Sequence, residues 1–351
     1  MAKMIPSPYS LATGVGALPH KDPVLACNDV LDIFPEFPYV PSLPDRGLLE
    51  SIVFNDSEQL PGRIIQDDRL LFDSTTDQNE AIEKVYLDYI EGNYAGYGYN
   101  KEYASGFIQM MSHDLARVRS LKCQMTGPVT FGMQVVDTDK RPIYYDAQIA
   151  DVLSKMIALK ARWCEMEMRL RTGVKDTLVV LNEPYFASLG SSVVPVDKET
   201  VRSGWEDIAA LIEGGLGIHC CSNTDWEFVL ELNPSVVSID AYATAKEFLL
   251  YSDSIVSFME QGGVVAWGIV PAEYKIFAGE TPELLFQRYI AIRTQLSTLM
   301  PEHLFDAQSL ITPSCGIRFA DRSGALAIMK TAAEISRRIT RKDSGANITK
   351  N

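Results

Sequence analysis

The sequence predicts an α/β protein that closes as a (β/α)8 barrel of the TIM type, and three observations predict it. Short apolar runs alternate with longer stretches of helical spacing about eight times, which implies a parallel sheet whose strands are joined by helices. The chain has 351 residues, more than an average domain, but such barrels often exceed about 250 residues as one unit. Finally, Glu183, His219, Cys221, Asp240 and Cys315 all fall at the carboxyl ends of predicted strands, where barrels of this type carry their chemistry.

Taken in order, Leu11 to Leu18 reads as the first strand, and Asp22 to Phe34 as a helix with Asp22 placed to cap it. The second strand, Phe37 to Pro44, is short and proline-rich. From about residue 56 to 100 the rhythm breaks: Arg63 to Asp73 reads as a hairpin turning at Asp67 and Asp68, and Gln78 to Ile90 as a helix. This hairpin-helix segment is an insertion after the second strand. Gly92 to Tyr99, mixing glycine and tyrosine, is a surface loop that could also act as a lid.

Regular alternation then resumes. Strands are predicted at Ser120–Thr126, Thr177–Leu181, Leu216–Cys220, Val236–Asp240, Val264–Val270 and Leu310–Ser314. Helices are predicted at Glu102–Arg119, Ala147–Leu170, Thr200–Ile212, Trp226–Leu232, Ala245–Gln261, Pro282–Met300 and Ser323–Arg338. Residues 1–341 form one catalytic barrel on this reading, and the polar residues 342–351 a disordered tail.

Composition narrows the function. Hydrophobic residues make up 46% of the chain and charged residues 22%, which suits a globular protein with ample core. The net charge of -14 argues against a nucleic-acid groove or a hold on anionic membrane, since both need basic surface. Met1 to Pro8 lacks the apolar core of a signal peptide and no spanning segment is evident, so a cytoplasmic location is expected. Six cysteines, two of them adjacent, do not resemble a secreted disulfide framework, and a reducing compartment suits thiols that bind metal.

The stretch Gly217-Ile218-His219-Cys220-Cys221 carries the strongest chemical signal. Alternation along a strand places His219 and Cys221 on one face and Cys220 on the other. A second fragment, Thr312-Pro313-Ser314-Cys315-Gly316, repeats the pattern of strand, thiol and glycine. One imidazole and two thiolates make a donor set that zinc favours, and three protein ligands leave a position for substrate. Buried core is the plainer reading of such residues. Their placement at strand ends favours metal. His20 and Arg318 could touch a ligand, although loop and surface roles explain them equally well; Asn223 to Asp225 suffices as a helix cap.

With these residues in view the chain resembles the catalytic barrel of cobalamin-independent methionine synthase, in its short core form, within the superfamily that includes uroporphyrinogen decarboxylase. Thr13-Gly14-Val15-Gly16-Ala17-Leu18-Pro19, Thr126-Gly127-Pro128-Val129-Thr130, Asn182-Glu183-Pro184, His219-Cys220-Cys221 and Thr312 to Gly316 carry the resemblance, spread along almost the whole chain. It implies a zinc-dependent methyltransferase with His219, Cys221, Asp240 and Cys315 as ligands. Asp240 stands where those enzymes usually have Glu. Catalytic roles fall to Glu183 and Asn182, and substrate binding to Gly16, Ala17, Glu183 and Ser314. The implied reaction methylates a small thiol, homocysteine giving methionine.

This sequence departs from the family at three places. Asn182 replaces an acidic residue facing the substrate amino group, Leu43 stands near another family carboxylate, and Val270 replaces a catalytic histidine. The metal half of the site is therefore kept better than the amino-acid half. Full methionine synthases carry a second barrel that helps hold methylfolate, so this single barrel is expected to take its methyl group from methylcobalamin, free or on a corrinoid protein, rather than from methyltetrahydrofolate. Two rivals remain: a metal-free decarboxylase of the uroporphyrinogen type, and a non-catalytic barrel that binds corrinoid or thiol.

Overall fold

The computed structural model describes residues 3–189, 191 and 194–346. Nine strands are assigned among them: β1 Leu11–Ala12, β2 Arg63–Gln66, β3 Arg69–Phe72, β4 Leu121–Thr126, β5 Thr177–Asn182, β6 Gly215–Cys220, β7 Val236–Ile239, β8 Val264–Val270 and β9 Ser309–Pro313. Seven of them form one parallel sheet in the order β1-β9-β8-β7-β6-β5-β4. This is the TIM-barrel-like α/β fold that the alternation predicted.

The two edges of the curled sheet meet across residues 38–42, the proline-rich second strand. On one side Val40 N donates to Lys122 O at 2.8 Å and Lys122 N to Pro38 O at 3.1 Å. On the other, Ser42 N donates to Gly16 O at 3.1 Å and Leu18 N to Ser42 O at 2.9 Å. Pro38 and Pro41 have no N–H to give, so this segment joins the sheet through isolated bridges instead of a continuous ladder.

The inserted hairpin is β2 paired with β3, antiparallel. Its turn residues Asp67 and Asp68 have φ of 50° and 57°, the left-handed pair that a tight two-residue hairpin turn demands. The helix Asn79–Glu91 follows and is tied to the barrel by Tyr86, whose hydroxyl donates to Asp151 at 2.7 Å. Asp151 belongs to the long helix Ala147–Thr172, which starts where the Asp146 carboxylate accepts from Gln148 N and Ile149 N. That helix ends at Gly173 in the left-handed conformation.

Four expectations need correction. The helix predicted over Glu102–Arg119 is only Ser105–Met110, because the following N–H groups turn to other segments: Leu115 N bonds Thr172 O, and Arg119 N bonds Glu36 O. The helix predicted over Ala245–Gln261 is two helices, Ala241–Phe248 and Ser252–Glu260, joined by a 3-10 turn. A helix at Pro128–Gln134, with proline in its first turn, was not anticipated. The final helix runs Arg322–Ala346, so residues 342–346 continue it instead of beginning a tail, and 347–351 lie outside the described residues.

Strand alternation sorts the barrel interior into layers. Leu178 and Val180 of β5, Val236 of β7, Val264 and Ala266 of β8 and Leu310 of β9 pack with Ile5 and Phe37 into an apolar plug. Two residues further along β5, β6 and β7 the inward positions turn polar at Asn182, His219 and Ser238, and on β4 Lys122 and Gln124, paired with Leu178 and Val180, add polar groups beside them. The apolar layer keeps water from beneath and the polar layer faces the mouth. No helix among the described residues is long and apolar enough to cross a membrane.

Candidate metal centre

His219 is the last inward-facing residue of β6, and Cys221 follows the strand directly. In register beside His219 stand Asn182 on β5 and Ser238 on β7. Ser238 Oγ lies 2.9 Å from His219 Nδ1, whereas Nε2 is buried and has no partner among the described residues. Cys315, just past β9, joins them: the ligand atoms of His219, Cys221 and Cys315 all lie within 4.8 Å of one another. Gly268 makes the approach possible. A Cβ there would collide with Ile239 O and come within 2.7 Å of Ser314 Cα, so any larger residue on β8 would push the end of β9 away.

The two thiols are shifted in opposite directions. A hydrogen bond from Cys315 and the neighbouring His219 hold the Cys221 thiol far below its usual range, at about 4. The same bond, with burial, pushes Cys315 up. Cys220 points the other way, as alternation required; burial drives its thiol to about 12 and its Sγ faces Ser222 O.

These residues fit zinc. Tetrahedral zinc holds sulfur at about 2.3 Å and nitrogen at about 2.0–2.1 Å, so its ligand atoms stand about 3.3–3.8 Å apart, within the observed spread. The buried Nε2 without a donor or acceptor is the atom such an ion would satisfy, and Ser238 on Nδ1 is the kind of outer partner that fixes a ligating imidazole.

Beside the triad lies a cavity of about 260 Å³ at the barrel mouth. Gly16 and Ala17 form one wall, Gly16 with φ of 43° so that its backbone can bend inward. Asn182 and Gln124 form another, with Glu50, Ile52 and Asn55 arching over from the crossover that follows the second strand. Arg318 and Phe319 stand at the rim, Phe319 being 83% exposed. A larger groove of about 650 Å³ near Arg46 and Lys101 is open and holds none of the thiols.

Several expected site residues are used otherwise. Glu183 is only 1% exposed and turns away from the cavity. Its carboxylate accepts from Val129 N at 3.0 Å, Thr130 N at 2.8 Å and Thr130 Oγ1 at 2.6 Å, capping the helix Pro128–Gln134. Burial raises its pKa to about 7 against the pull of those donors. Gly127 is glycine because a Cβ would strike this carboxylate. Asp240 does not join the three donors among the described residues: its carboxylate caps the helix Ala241–Phe248, accepting from Ala243 N at 2.9 Å. Burial lifts its pKa to about 6. Ser314 spends its hydroxyl on Ala272 N at 3.1 Å. His20 is buried, 2.8 Å from Asp29, which also accepts two bonds from Arg322. Asn182, Gly16, Ala17, His219, Cys221 and Cys315 do meet in the cavity wall.

Sequence reasoning missed Ser238, Gln124, Lys122, Glu50 and Asn55. A hydroxyl inside the apolar strand Val236-Val237-Ser238-Ile239 was a readable signal, as were Lys122 and Gln124 two apart on β4. Glu50 closes the single 3-10 turn Leu48–Glu50 and Asn55 lies in the turns that follow, where no period marks the inward face.

Comparison with known proteins now bears on the fold. No family model matches the chain, and no curated protein sequence matches it. Among solved structures, it aligns over 96% of its length with 99% of a putative vitamin-B12 independent methionine synthase from Listeria monocytogenes, at 12% identity and a TM-score of 0.55. The chain has that protein's barrel fold. It also aligns over 65% of its length with a B12-independent methionine synthase from Shewanella sp. W3-18-1, solved in complex with selenomethionine, at 15% identity and a TM-score of 0.45; the match spans 64% of that chain.

Proposed function

We propose that the chain is a zinc-dependent methyltransferase that moves a methyl group from a methyl-corrinoid or methyl-folate donor to a small thiol, homocysteine giving methionine being the leading case. The observation that carries this reading is the convergence of His219, Cys221 and Cys315 around an imidazole nitrogen left without a partner. The shared fold with a putative methionine synthase agrees with it.

Zinc held by these three residues would supply the positive charge that keeps an incoming thiol ionised at neutral pH. The chain's own residues do the rest. Ser238 fixes the His219 ring so that Nε2 faces the two sulfurs. Gly16, Ala17 and Gly316 bring backbone close on one side, narrowing the cavity to a volume that suits one small molecule. The sulfur–methyl bond forms as the donor's bond to the same carbon breaks, its electron pair leaving with the donor; positioning is the protein's main contribution.

A cavity of about 260 Å³ cannot enclose a corrinoid or a folate. The donor therefore presents its methyl group from outside, over a rim where Phe319 and Ile52 offer apolar surface at 83% and 42% exposure. Methylcobalamin, free or on a corrinoid protein, and methyltetrahydrofolate would both have to approach in this way, and the former is the donor we propose to test first. The free cysteines and thiol chemistry suit a reducing compartment, and we place the protein in the cytoplasm.

Zinc-loaded protein incubated with a panel of small thiols and with each donor, read by mass spectrometry, tests the proposal. A methylated thiol with methylcobalamin, lost in Cys315→Ser, is expected. Protein that purifies without zinc and yields no methylated thiol with either donor contradicts it.

A further inference from the structure

The arch over the cavity bends at a residue that resists the bend. Val53 has φ of 72°, in the left-handed region that β-branched side chains rarely enter. Among the described residues it is the only β-branched one there; Gly16, Gly62, Gly92, Gly173 and Gly262 take the same region without strain. The Val53 side chain is buried in the main core, while Ile52 and Asn55 beside it line the cavity.

Strain of this kind persists only where the surroundings hold it. Val53 N donates to Thr126 Oγ1 at 3.2 Å, and Val53 O accepts from Asp56 N at 3.2 Å. The fully buried Asp56 returns the link: its Oδ2 accepts from Thr126 N at 2.8 Å and its Oδ1 from the Tyr99 hydroxyl. Thr126 is the last residue of β4 and lines the cavity with Gln124 and Met125. One threonine therefore clasps the arch to the cavity wall through both its backbone and its side chain, and Tyr99 of the inserted segment braces the clasp.

We infer that this clasp sets the size of the thiol the site admits, with Val53 and Thr126 as positioning residues and Ile52 as the side chain that confines the cavity shared with Cys221 and Cys315. The inference rests on the methyl-transfer proposal and deepens it by naming what limits the acceptor. Without the Thr126 hydroxyl the Val53 N–H is buried and unpaired, so the turn relaxes toward the extended region and carries Ile52 off the cavity.

Two thiol reagents of different size, methyl methanethiosulfonate and N-(1-pyrenyl)maleimide, test it on the full-length metal-free chain. Each rate at Cys221 and Cys315 is read by peptide mass spectrometry and divided by the same reagent's rate with N-acetylcysteine. The fully buried Cys220 reports an intact fold by staying unlabelled. Wild type favours the small reagent by about tenfold or more. Thr126→Val brings that preference to within about threefold, and Thr126→Ser, which keeps the hydroxyl, retains it. A residue that served stability alone would expose Cys220 together with the other two thiols. Ile52→Ala, at a position 42% exposed where folding is not at stake, speeds the large reagent by about tenfold and the small one by less than about threefold. No labelling of Cys221 and Cys315, no size preference in wild type, or a preference that survives in folded Thr126→Val or in Ile52→Ala overturns the inference. If Thr126→Val exposes Cys220, wild type and Ile52→Ala decide. A size preference in protein that purified without zinc sinks the methyl-transfer proposal and leaves the clasp in place; zinc with no size preference does the reverse.

Discussion

Ser238 Oγ and His219 Nδ1 stand 2.9 Å apart on adjacent strands, at paired positions of β6 and β7. That contact decides which ring nitrogen faces Cys221 and Cys315, because the nitrogen engaged by the hydroxyl is withdrawn from the cluster. Ser238→Ala releases the ring, and zinc affinity is expected to fall by about 10–100-fold, measured by competition with a chromogenic chelator. An unchanged affinity would mean the ring is held by packing alone.

Glu183 caps a helix, and its loss is expected to show in stability. Glu183→Gln turns an amide N–H toward a site where Val129 N, Thr130 N and Thr130 Oγ1 all donate. A loss of about 1–3 kcal/mol in urea unfolding is expected, with the zinc content of the folded protein unaltered. Normal stability with abolished turnover would return Glu183 to the catalytic role the resemblance gave it.

Asp240 is treated the same way. Asp240→Ala removes the acceptor for Ala243 N and should cost about 0.5–2 kcal/mol of stability. Zinc stoichiometry by elemental analysis should stay as in wild type. Loss of the metal in Asp240→Ala would restore it as a ligand.

Lys122 gives the protein a pH dependence whose sign follows from burial. Its folded pKa is lowered to about 7 by burial, from an ordinary value of 10.5. Between these values the unfolded chain binds the proton and the folded chain does not, so stability rises with pH across that window; below pH 7 both states are protonated and the destabilisation is fully present. From pH 7 to 9 this residue contributes a rise of about 2 kcal/mol. Urea unfolding at both pH values should show that rise in wild type and not in Lys122→Met. Parallel behaviour of the two proteins would place the amine in contact with water.

The convergence of His219, Cys221 and Cys315 was legible because strand alternation and strand ends are periodic features: His219 and Cys221 fall on one face by parity, and Cys315 repeats the strand–thiol–glycine pattern. The closing strand was legible only as a weak extended run, since Pro38 and Pro41 both mark the segment and deny it a ladder. The capping contacts of Glu183 were not legible because its side-chain direction depends on the helix at Pro128–Gln134, which comes from a distant part of the chain. The cap made by Asp240 was not read for a local reason: a short carboxylate next to a helix start has three backbone N–H groups within reach, and such a cap would compete with a metal. Glu50 and Asn55 could not be read at all, because a single 3-10 turn and the turns after it are too short to carry a period from which an inward face can be inferred.

X-ray absorption at the zinc edge tests the central claim most directly. Protein purified without added metal should carry one zinc per chain, with two sulfur scatterers at about 2.3 Å and at least one nitrogen at about 2.0–2.1 Å, and one sulfur should disappear in Cys315→Ser. Protein without zinc, or zinc in a shell that holds no sulfur, would contradict the account.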